Sequence, residues 1–286
     1  MDVMMPVIPL LLTFSLALLV VAAGLASSRG DFTYVVSRPA LLLKAFEAIM
    51  LIPVLTAMLV IGFLPLSPAV KAAILLMAFS PVPPLMPGKA LETGGHSAYV
   101  YGLMTTGAIF ALVFVPILGA LAANYYHVHA QFPLAVVARN IAGGVVIPLA
   151  IGLALGRWLL KDVAPRLTRG ITILAHVLLV VAAVPLLVGV WPQMMMLIGD
   201  GAAMAMALVV FAALVGGHVL GGDTIADRSS LAITASLRHP GIALALAGAN
   251  HADKAVSAAA LLFLVIGFLL LIPYLLLLRL LVTTEA

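Results

Sequence analysis

Nine apolar segments, each long enough to cross a membrane, follow one another along this chain with only short connections. They cover, roughly, residues 4–26, 40–63, 69–94, 97–122, 133–158, 168–190, 194–221, 225–251 and 255–282. About twenty apolar residues cross the hydrocarbon core as a helix, and a helix satisfies its own backbone groups in lipid. The sequence therefore predicts an all-α membrane protein with nine transmembrane helices, in one transmembrane domain over residues 1–286.

The composition excludes a soluble domain. Of the 286 residues, 65% are hydrophobic and only 8% are charged, which leaves too little polar surface to face water on all sides. The chain has no cysteine, so disulfides, thiol catalysis and thiolate metal sites are excluded. A net charge of +4, scattered along the chain, indicates membrane orientation rather than nucleic-acid binding. We expect no cofactor.

The loop charges predict how the chain lies in the membrane. Cations cluster in the connections on one side, namely Arg29, Arg38, Arg157, Lys161, Arg166, Arg169 and Arg279. Because cytoplasmic loops carry the excess of Lys and Arg, this pattern predicts an external N-terminus and a cytoplasmic C-terminus. The first segment has no basic residue before its apolar run, so we expect it to be a retained span rather than a signal peptide.

Two of the segments break in the middle and carry a cation at the break. The third contains SPVPPLMPGK and the eighth contains SLRHPG, with Lys89 and Arg238 as the cations. The predicted helix-breaking residues are Pro81, Pro83, Pro84, Pro87, Gly88, Pro240 and Gly241. A cation at membrane depth costs at least a few kcal/mol, so such features indicate a polar cavity.

The two broken segments occupy corresponding places in an internal repeat. The eighth span stands five positions after the third, and an odd offset inverts the direction of the chain, so spans 1–4 correspond to spans 6–9. Inverted repeats with two broken helices that cross near the middle of the membrane are typical of secondary transporters. The fifth span is left without a counterpart.

Several stretches of the chain resemble the bile acid:sodium symporter family. The family's first helix, connector and second helix resemble the stretch LALLVVAAGLASSRGDFTYVVSRPALLLKAFEAIMLIPVLTAML. Its first broken helix and the helix after it resemble ILLMAFSPVPPLMPGKALETGGHSAYVYGLMTTGAIFALVFVPIL. RSSLAITASLRHPGIALALAGANH is similar to the second broken helix.

The resemblance implies a transporter of the bacterial inner membrane, built from a panel unit (4–26, 133–158 and 168–190) and a core unit (40–122 and 194–282). It further implies an amphipathic organic anion as substrate, such as a bile acid, a steroid conjugate or a small carboxylate. We expect a monomer with the lipid bilayer and this small molecule as its partners, and no nucleic acid.

The family's sodium-binding residues are only partly present. Thr105 is kept, but Met86-Pro87 stands near the expected Ser-Asn pair, Thr234 stands for a Glu, and Arg238 stands for a Gln. Sodium, as a hard cation, needs oxygen ligands, and these changes remove oxygens and add positive charge. A conventional two-sodium site is therefore not expected.

Lys89 and Arg238 are predicted to stand in for the two sodium ions, with Glu47 as their leading partner. A buried lysine can lose its proton, so Lys89 could couple transport to protons, whereas arginine stays charged. The alternatives are that Lys89 reaches the cytoplasmic headgroups, that Arg238 forms a purely structural ion pair, and that Glu47 pairs with Lys44 along its helix.

Other polar residues complete the candidate site. Ser236 and His239 lie at the second break, where His239 either donates to a ligand or bonds a freed carbonyl. Asn140, with Arg139, lies at the outer end of the fifth span, where the pair guides an anion inward or extends to the interface. His176 and His218 are interpreted as core histidines.

Three functions remain open besides a sodium-free transporter. They are a conventional sodium:organic anion symporter, a facilitator that does not concentrate its substrate, and a membrane sensor with the same fold. An enzyme is the least favoured class, because the sequence has none of the HExxH, Walker A, GxSxG or kinase motifs.

Overall fold

Helices form every regular element in the part of the chain that the structure describes. This computed structural model describes residues 7–28, 30–81, 83–159, 163–199 and 201–284; Arg29 and Lys161, which entered the orientation argument, and positions 4–6 of the first predicted span lie outside them. The helices are α1 Val7–Ala26, α2 Pro39–Phe63, α3 Pro68–Phe79, α4 Met86–Glu92, α5 Ser97–Tyr125, α6 Leu134–Trp158, α7 Ala164–Leu197, α8 Ala202–Leu220, α9 Ile225–Ser236, α10 Pro240–Ala249 and α11 Lys254–Thr284.

Seven of these helices are long and apolar enough to cross a membrane, which confirms an all-α membrane protein. They are α1, α2, α5, α6, α7, α8 and α11. The third and eighth predicted spans are instead divided into α3 with α4 and α9 with α10, whose members have only 7 to 12 residues. The nine-span topology and the inverted repeat stay predictions.

The boundary between the sixth and seventh predicted spans was wrong. The sequence placed a connection at residues 191–193, but α7 continues to Leu197, so the predicted core range 194–282 begins inside this helix. Pro185 and Pro192 lie within the helix without ending it. The chain turns at Gly201, whose φ of +80° is a left-handed conformation that glycine adopts without strain.

Helix α1 packs closely against α6 and α7. At the α1–α6 contact, glycines face each other, and a Cβ atom added at Gly24 would lie 2.7 Å from the carbonyl oxygen of Leu149. A Cβ atom added at Gly152 would collide with the carbonyl oxygen of Val21. The two backbones can approach this closely because neither position has a side chain, the usual way that helices pack in lipid.

The other helices pack around two buried apolar clusters. One lies among α3, α10 and α11 and includes Phe79, Leu246 and Phe263. The other lies among α2, α5 and α9 and includes Ile49 and Leu231. The broken helices therefore run through the most densely buried part of the protein, and their breaks lie between the two clusters.

The glycine contact between α1 and α6 makes a prediction about stability. Gly152→Ala should lower the free energy of unfolding by about 1–3 kcal/mol, because the new methyl group forces the helices apart. The measurement is the apparent melting temperature of the purified protein in detergent. Gly143→Ala on the same helix is the matched control, since a Cβ atom there meets no neighbour; equal melting temperatures for the two variants would contradict the prediction.

Candidate functional site

The break between α3 and α4 is described at residues 80, 81 and 83–85. The Ser80 hydroxyl donates to the carbonyl oxygen of Leu76 at 2.7 Å and so closes the last turn of α3. Pro81, Pro83 and Pro84 lie in the break as predicted, but Pro87 and Gly88 do not, because α4 begins at Met86. Proline suits the first turn of a helix, where its missing N–H has no partner in any case.

The break between α9 and α10 is shorter and runs from Leu237 to His239. Pro240 and Gly241 were predicted to interrupt the segment, but they are the first two residues of α10. His239 caps this helix, since its Nδ1 atom accepts a hydrogen bond from the backbone N–H of Ile242 at 3.3 Å. This contact requires the proton of the neutral ring to be on Nε2, and the backbone group that it binds is an N–H rather than the freed carbonyl that the sequence suggested.

The two breaks meet and pair through their backbones. The backbone N–H of His239 donates to the carbonyl oxygen of Ser80 at 2.9 Å, and Pro81 and Arg238 form an antiparallel bridge. Each extended segment thus supplies part of the hydrogen bonding that the other lost when its helix ended. The broken helices therefore cross at this point, with their chains antiparallel.

The Arg238 side chain is buried at the crossing, with only 2% of the residue exposed. Its Nη1 atom donates to the carbonyl oxygen of Ile49 at 2.8 Å and to that of Ala78 at 3.4 Å. Nη2 has no hydrogen-bond partner among the described residues. Ile49 belongs to a π-helical turn of α2, Glu47–Leu51, whose wider winding disturbs the regular helical hydrogen bonding. Arg238 thus joins α2, α3 and the second break.

Lys89 and Glu47 do not join Arg238 there. The Lys89 ammonium forms an ion pair with Glu92 at 2.9 Å, and the two side chains are 35% and 58% exposed. No ion pair connects Glu47 to either cation in the described ranges, so the expected Glu47 partnership was wrong for this conformation. The exposed ion pair with Glu92 gives the ammonium a partner without any buried site, so this geometry favours the interpretation of Lys89 as a residue of the polar surface.

The hydroxyl groups predicted for the site bond to their own helices. Thr105 donates to Tyr101 at 3.2 Å, Thr234 to Ser230 at 2.6 Å, and Ser236 to Ile233 at 3.3 Å, in each case to the backbone carbonyl oxygen. Such bonds satisfy the hydroxyl donor but leave oxygen lone pairs available. Thr234 and Ser236 are buried close to Arg238 along the chain, whereas Thr105 is half-buried on α5.

Asn140 lies beside the second break. Its side-chain amide donates to the carbonyl oxygen of Val136 at 3.0 Å, and a methyl group added at Gly241 would be 3.8 Å from Asn140 Oδ1. Arg139, its neighbour, is exposed. The structure thus places Asn140 beside Gly241 at the start of α10, whereas the sequence had assigned it to the outer end of the fifth span.

The sequence interpretation missed a second threonine on α5. Thr106 is fully buried, and its hydroxyl has no hydrogen-bond partner among the described residues. Thr105 had been preferred by resemblance, yet it is the more exposed of the two. Their adjacency was the available signal, since neighbouring residues on a helix face different directions and only the packing decides which one faces inward.

A cavity of about 410 Å³ lies between α1, α4 and α7. Its walls are mainly apolar, with Leu19, Ala23 and Leu91 among them. Its polar lining residues are Glu92, Tyr101, Thr168, Thr172 and His176. Both the volume and the few polar groups in an apolar wall are typical of small-molecule sites. We call this cavity the crevice.

The crevice changes the interpretation of two sets of residues. His176, taken from the sequence as a core histidine, lines it and bonds through Nδ1 to the carbonyl oxygen of Thr172 at 2.8 Å. Neither Lys89 nor Arg238 is among the lining residues. The two cations therefore do not form a direct anion clamp in this conformation.

Comparison with known families decides the class of protein. The family model described as Sodium Bile acid symporter family matches residues 13–195, about two thirds of the chain. The chain belongs to the sodium bile acid symporter family. The match includes the first break and most of α1 and α7, which line the crevice, and it ends before Arg238. A search of curated proteins finds no match.

Membership has two consequences. Members of the sodium bile acid symporter family are transporters and not enzymes, which agrees with the absence of catalytic motifs. A transporter of this family acts on a small molecule within a lipid bilayer, and the seven long apolar helices fit that setting.

The contacts of Arg238 predict that it is needed for stability. Arg238→Ala should lower the free energy of unfolding by about 1–3 kcal/mol, because it removes the guanidinium that donates to the carbonyl oxygens of Ile49 and Ala78. Arg238→Lys should lose less of the free energy of unfolding than Arg238→Ala but should not match the wild type, since one ammonium cannot reproduce the two-pronged geometry of a guanidinium.

The melting temperature in detergent measures this effect. Arg139→Ala is the matched control, because Arg139 is exposed and its loss strands no buried carbonyl. If Arg238→Ala melts at the same temperature as the wild type, the guanidinium has no structural role at the crossing.

Proposed function

We propose that this protein is a secondary active transporter of an amphipathic organic anion and works by alternating access. Helices α1, α6 and α7 form the panel unit and the remaining helices the core unit. The substrate binds in the crevice and crosses the membrane as one unit moves against the other. The position of the crevice supports this, since α1 and α7 of the panel form one wall and α4 of the core the other.

We further propose that Arg238 replaces the coupling sodium ions. The observation that carries this proposal is the contact of a buried guanidinium with two backbone carbonyl oxygens at the crossing. Carbonyl oxygens are the type of ligand that a hard cation uses. Here the guanidinium, a cation attached to the chain, already donates hydrogen bonds to them. A sodium ion beside this charge would be repelled in a region of low dielectric constant.

The arrangement of the breaks supports the inverted-repeat topology. An antiparallel pairing between residues 81 and 238 is what two broken helices of opposite direction would form when they cross. The described loop cations, such as Arg38, Arg157 and Arg169, favour a cytoplasmic C-terminus in the inner membrane.

The substrate class rests on family membership and on the walls of the crevice. A largely apolar cavity with a few hydroxyl, phenol and imidazole groups suits a molecule with an extended apolar body and a single polar end. A bile acid, a steroid conjugate or a small amphipathic carboxylate has this character. The anionic end accepts hydrogen bonds from the hydroxyl groups of Thr172 and Tyr101, since His176 already donates through Nδ1 to the Thr172 carbonyl oxygen.

A conventional sodium symporter is the second candidate, and family membership favours it. The sodium requirement separates the two functions. In proteoliposomes that contain the purified protein, we expect uptake of radiolabelled taurocholate to change by less than about twofold when potassium replaces sodium. A large sodium-dependent increase in uptake would restore the conventional symporter. If taurocholate is not taken up in either salt, a panel of other amphipathic carboxylates is tested in the same way.

The location of the substrate can be tested with a neighbouring pair of residues. Thr172→Phe places a ring in the crevice, whereas Ile173→Phe, the next residue of α7, places it on the exposed face. We expect Thr172→Phe to reduce taurocholate uptake at least tenfold and Ile173→Phe to leave it within about twofold of wild type. Equal uptake by both variants, at equal amounts of folded protein, would contradict the assignment of the crevice.

A further inference from the structure

A second cavity, of about 390 Å³, lies inside the core helices at the opposite end of the molecule from Glu92. It is lined by the whole length of α3, the last turns of α2, α5 and α10, the loop between α5 and α6, and the start of α11. None of its lining residues belongs to α1 or α7, so it is separate from the crevice. We call it the core pocket.

The walls of the core pocket are mainly apolar side chains that contact one another. Leu75, Phe79 and Leu246 line it from the broken helices. Phe132 closes it from the loop, with its ring centroid 6.3 Å from that of Phe79 in an edge-to-face arrangement. Phe132 also packs against Gly119 of α5, where even a methyl group would collide with the ring.

The loop above the core pocket is held by Asn250. The Asn250 side chain accepts a hydrogen bond from the Gln131 backbone N–H at 2.6 Å and donates to the Gln131 carbonyl oxygen at 2.7 Å. It also donates to the carbonyl oxygen of Leu246 at 2.8 Å. These bonds occupy the amide of Asn250, although the residue lines the pocket.

The remaining polar groups of the core pocket are the Lys71 ammonium and the Tyr126 hydroxyl. Lys71 is half-buried in the first turn of α3, and no carboxylate lies within ion-pair distance of it among the described residues. A cation near a helix N-terminus is disfavoured by the helix dipole, so its favourable partner is an anion. Burial, followed by the charge of Tyr125, raises the pKa of Tyr126, so this hydroxyl stays protonated and can donate.

We propose that the core pocket binds a single-chain alkyl carboxylate, such as a free fatty acid from the surrounding bilayer. The carboxylate pairs with Lys71 and accepts from Tyr126, and the alkyl chain lies between Phe79, Phe132 and Leu246. The core pocket offers one positive charge and one apolar space, which matches a ligand with one negative charge and one alkyl chain. The site is additional to the transport site in the crevice.

Competing occupants fit this site less well. A neutral lipid chain would fill the apolar space but would leave the half-buried ammonium without an anion, which is unfavourable. A metal ion is excluded by the charge of Lys71 and by the absence of acidic lining residues. Charge complementarity therefore selects a carboxylate with an apolar chain.

The experiment measures equilibrium binding of radiolabelled tetradecanoate to the whole protein in phosphatidylcholine nanodiscs. We expect saturable binding that is at least tenfold weaker for Lys71→Met. Lys254→Met is the matched control, because Lys254 is exposed at the same end of the molecule and does not line the pocket. The affinity of this variant for tetradecanoate should match that of the wild type. Tetradecan-1-ol should compete at least tenfold less well than unlabelled tetradecanoate.

Two further variants separate the core pocket from the crevice. Ala72→Phe fills the core pocket and should abolish tetradecanoate binding, while Thr172→Phe fills the crevice and should leave it unchanged. Lys71→Arg, which keeps the charge, should retain binding and shows that a loss in Lys71→Met is not a folding defect. The proposal is overturned if no saturable binding is found, if Lys71→Met binds as tightly as the wild type, or if only Thr172→Phe loses binding.

Discussion

The fold depends on how two interrupted helices satisfy their backbone groups away from water. A break in a membrane helix frees N–H and C=O groups that lipid cannot bind, so an isolated break would be strongly unfavourable. Here the two breaks lie against each other, and the bond from the His239 N–H to the Ser80 carbonyl oxygen, with the pairing of Pro81 and Arg238, provides part of what each lost. The positions of α3, α4, α9 and α10 follow from this contact, and those of their neighbours follow from packing around it.

Arg238 completes the crossing by binding acceptors rather than an acid. A buried cation usually needs a carboxylate, and the sequence suggested Glu47. The π-helical turn of α2 instead presents the Ile49 carbonyl oxygen to the guanidinium at 2.8 Å, and the end of α3 presents that of Ala78. Backbone carbonyl dipoles thus stabilise the charge. The same oxygens would otherwise be available to a mobile cation, which links this contact to the proposed sodium independence.

The two cations found at the breaks have different surroundings, although the sequence treated them alike. Lys89 lies on a seven-residue half-helix that ends at the polar surface, three positions from Glu92, so a local ion pair satisfies it. Arg238 lies between two half-helices that are both buried, so only tertiary contacts satisfy it. A transport role for Arg238 therefore has structural support that one for Lys89 lacks.

The sequence by itself determined the membrane class, the helical fold, the approximate positions of both breaks and the family, because apolar segment length and helix-breaking residues act locally. It could not determine where the helices resume, since Pro87 and Pro240 can end one helix or begin the next. Nor could it show that Arg238 would bind Ile49, that Thr106 rather than Thr105 would be buried, or that His176 would line a cavity. Those outcomes depend on which helix face meets which neighbour, and only the packing of distant segments fixes that.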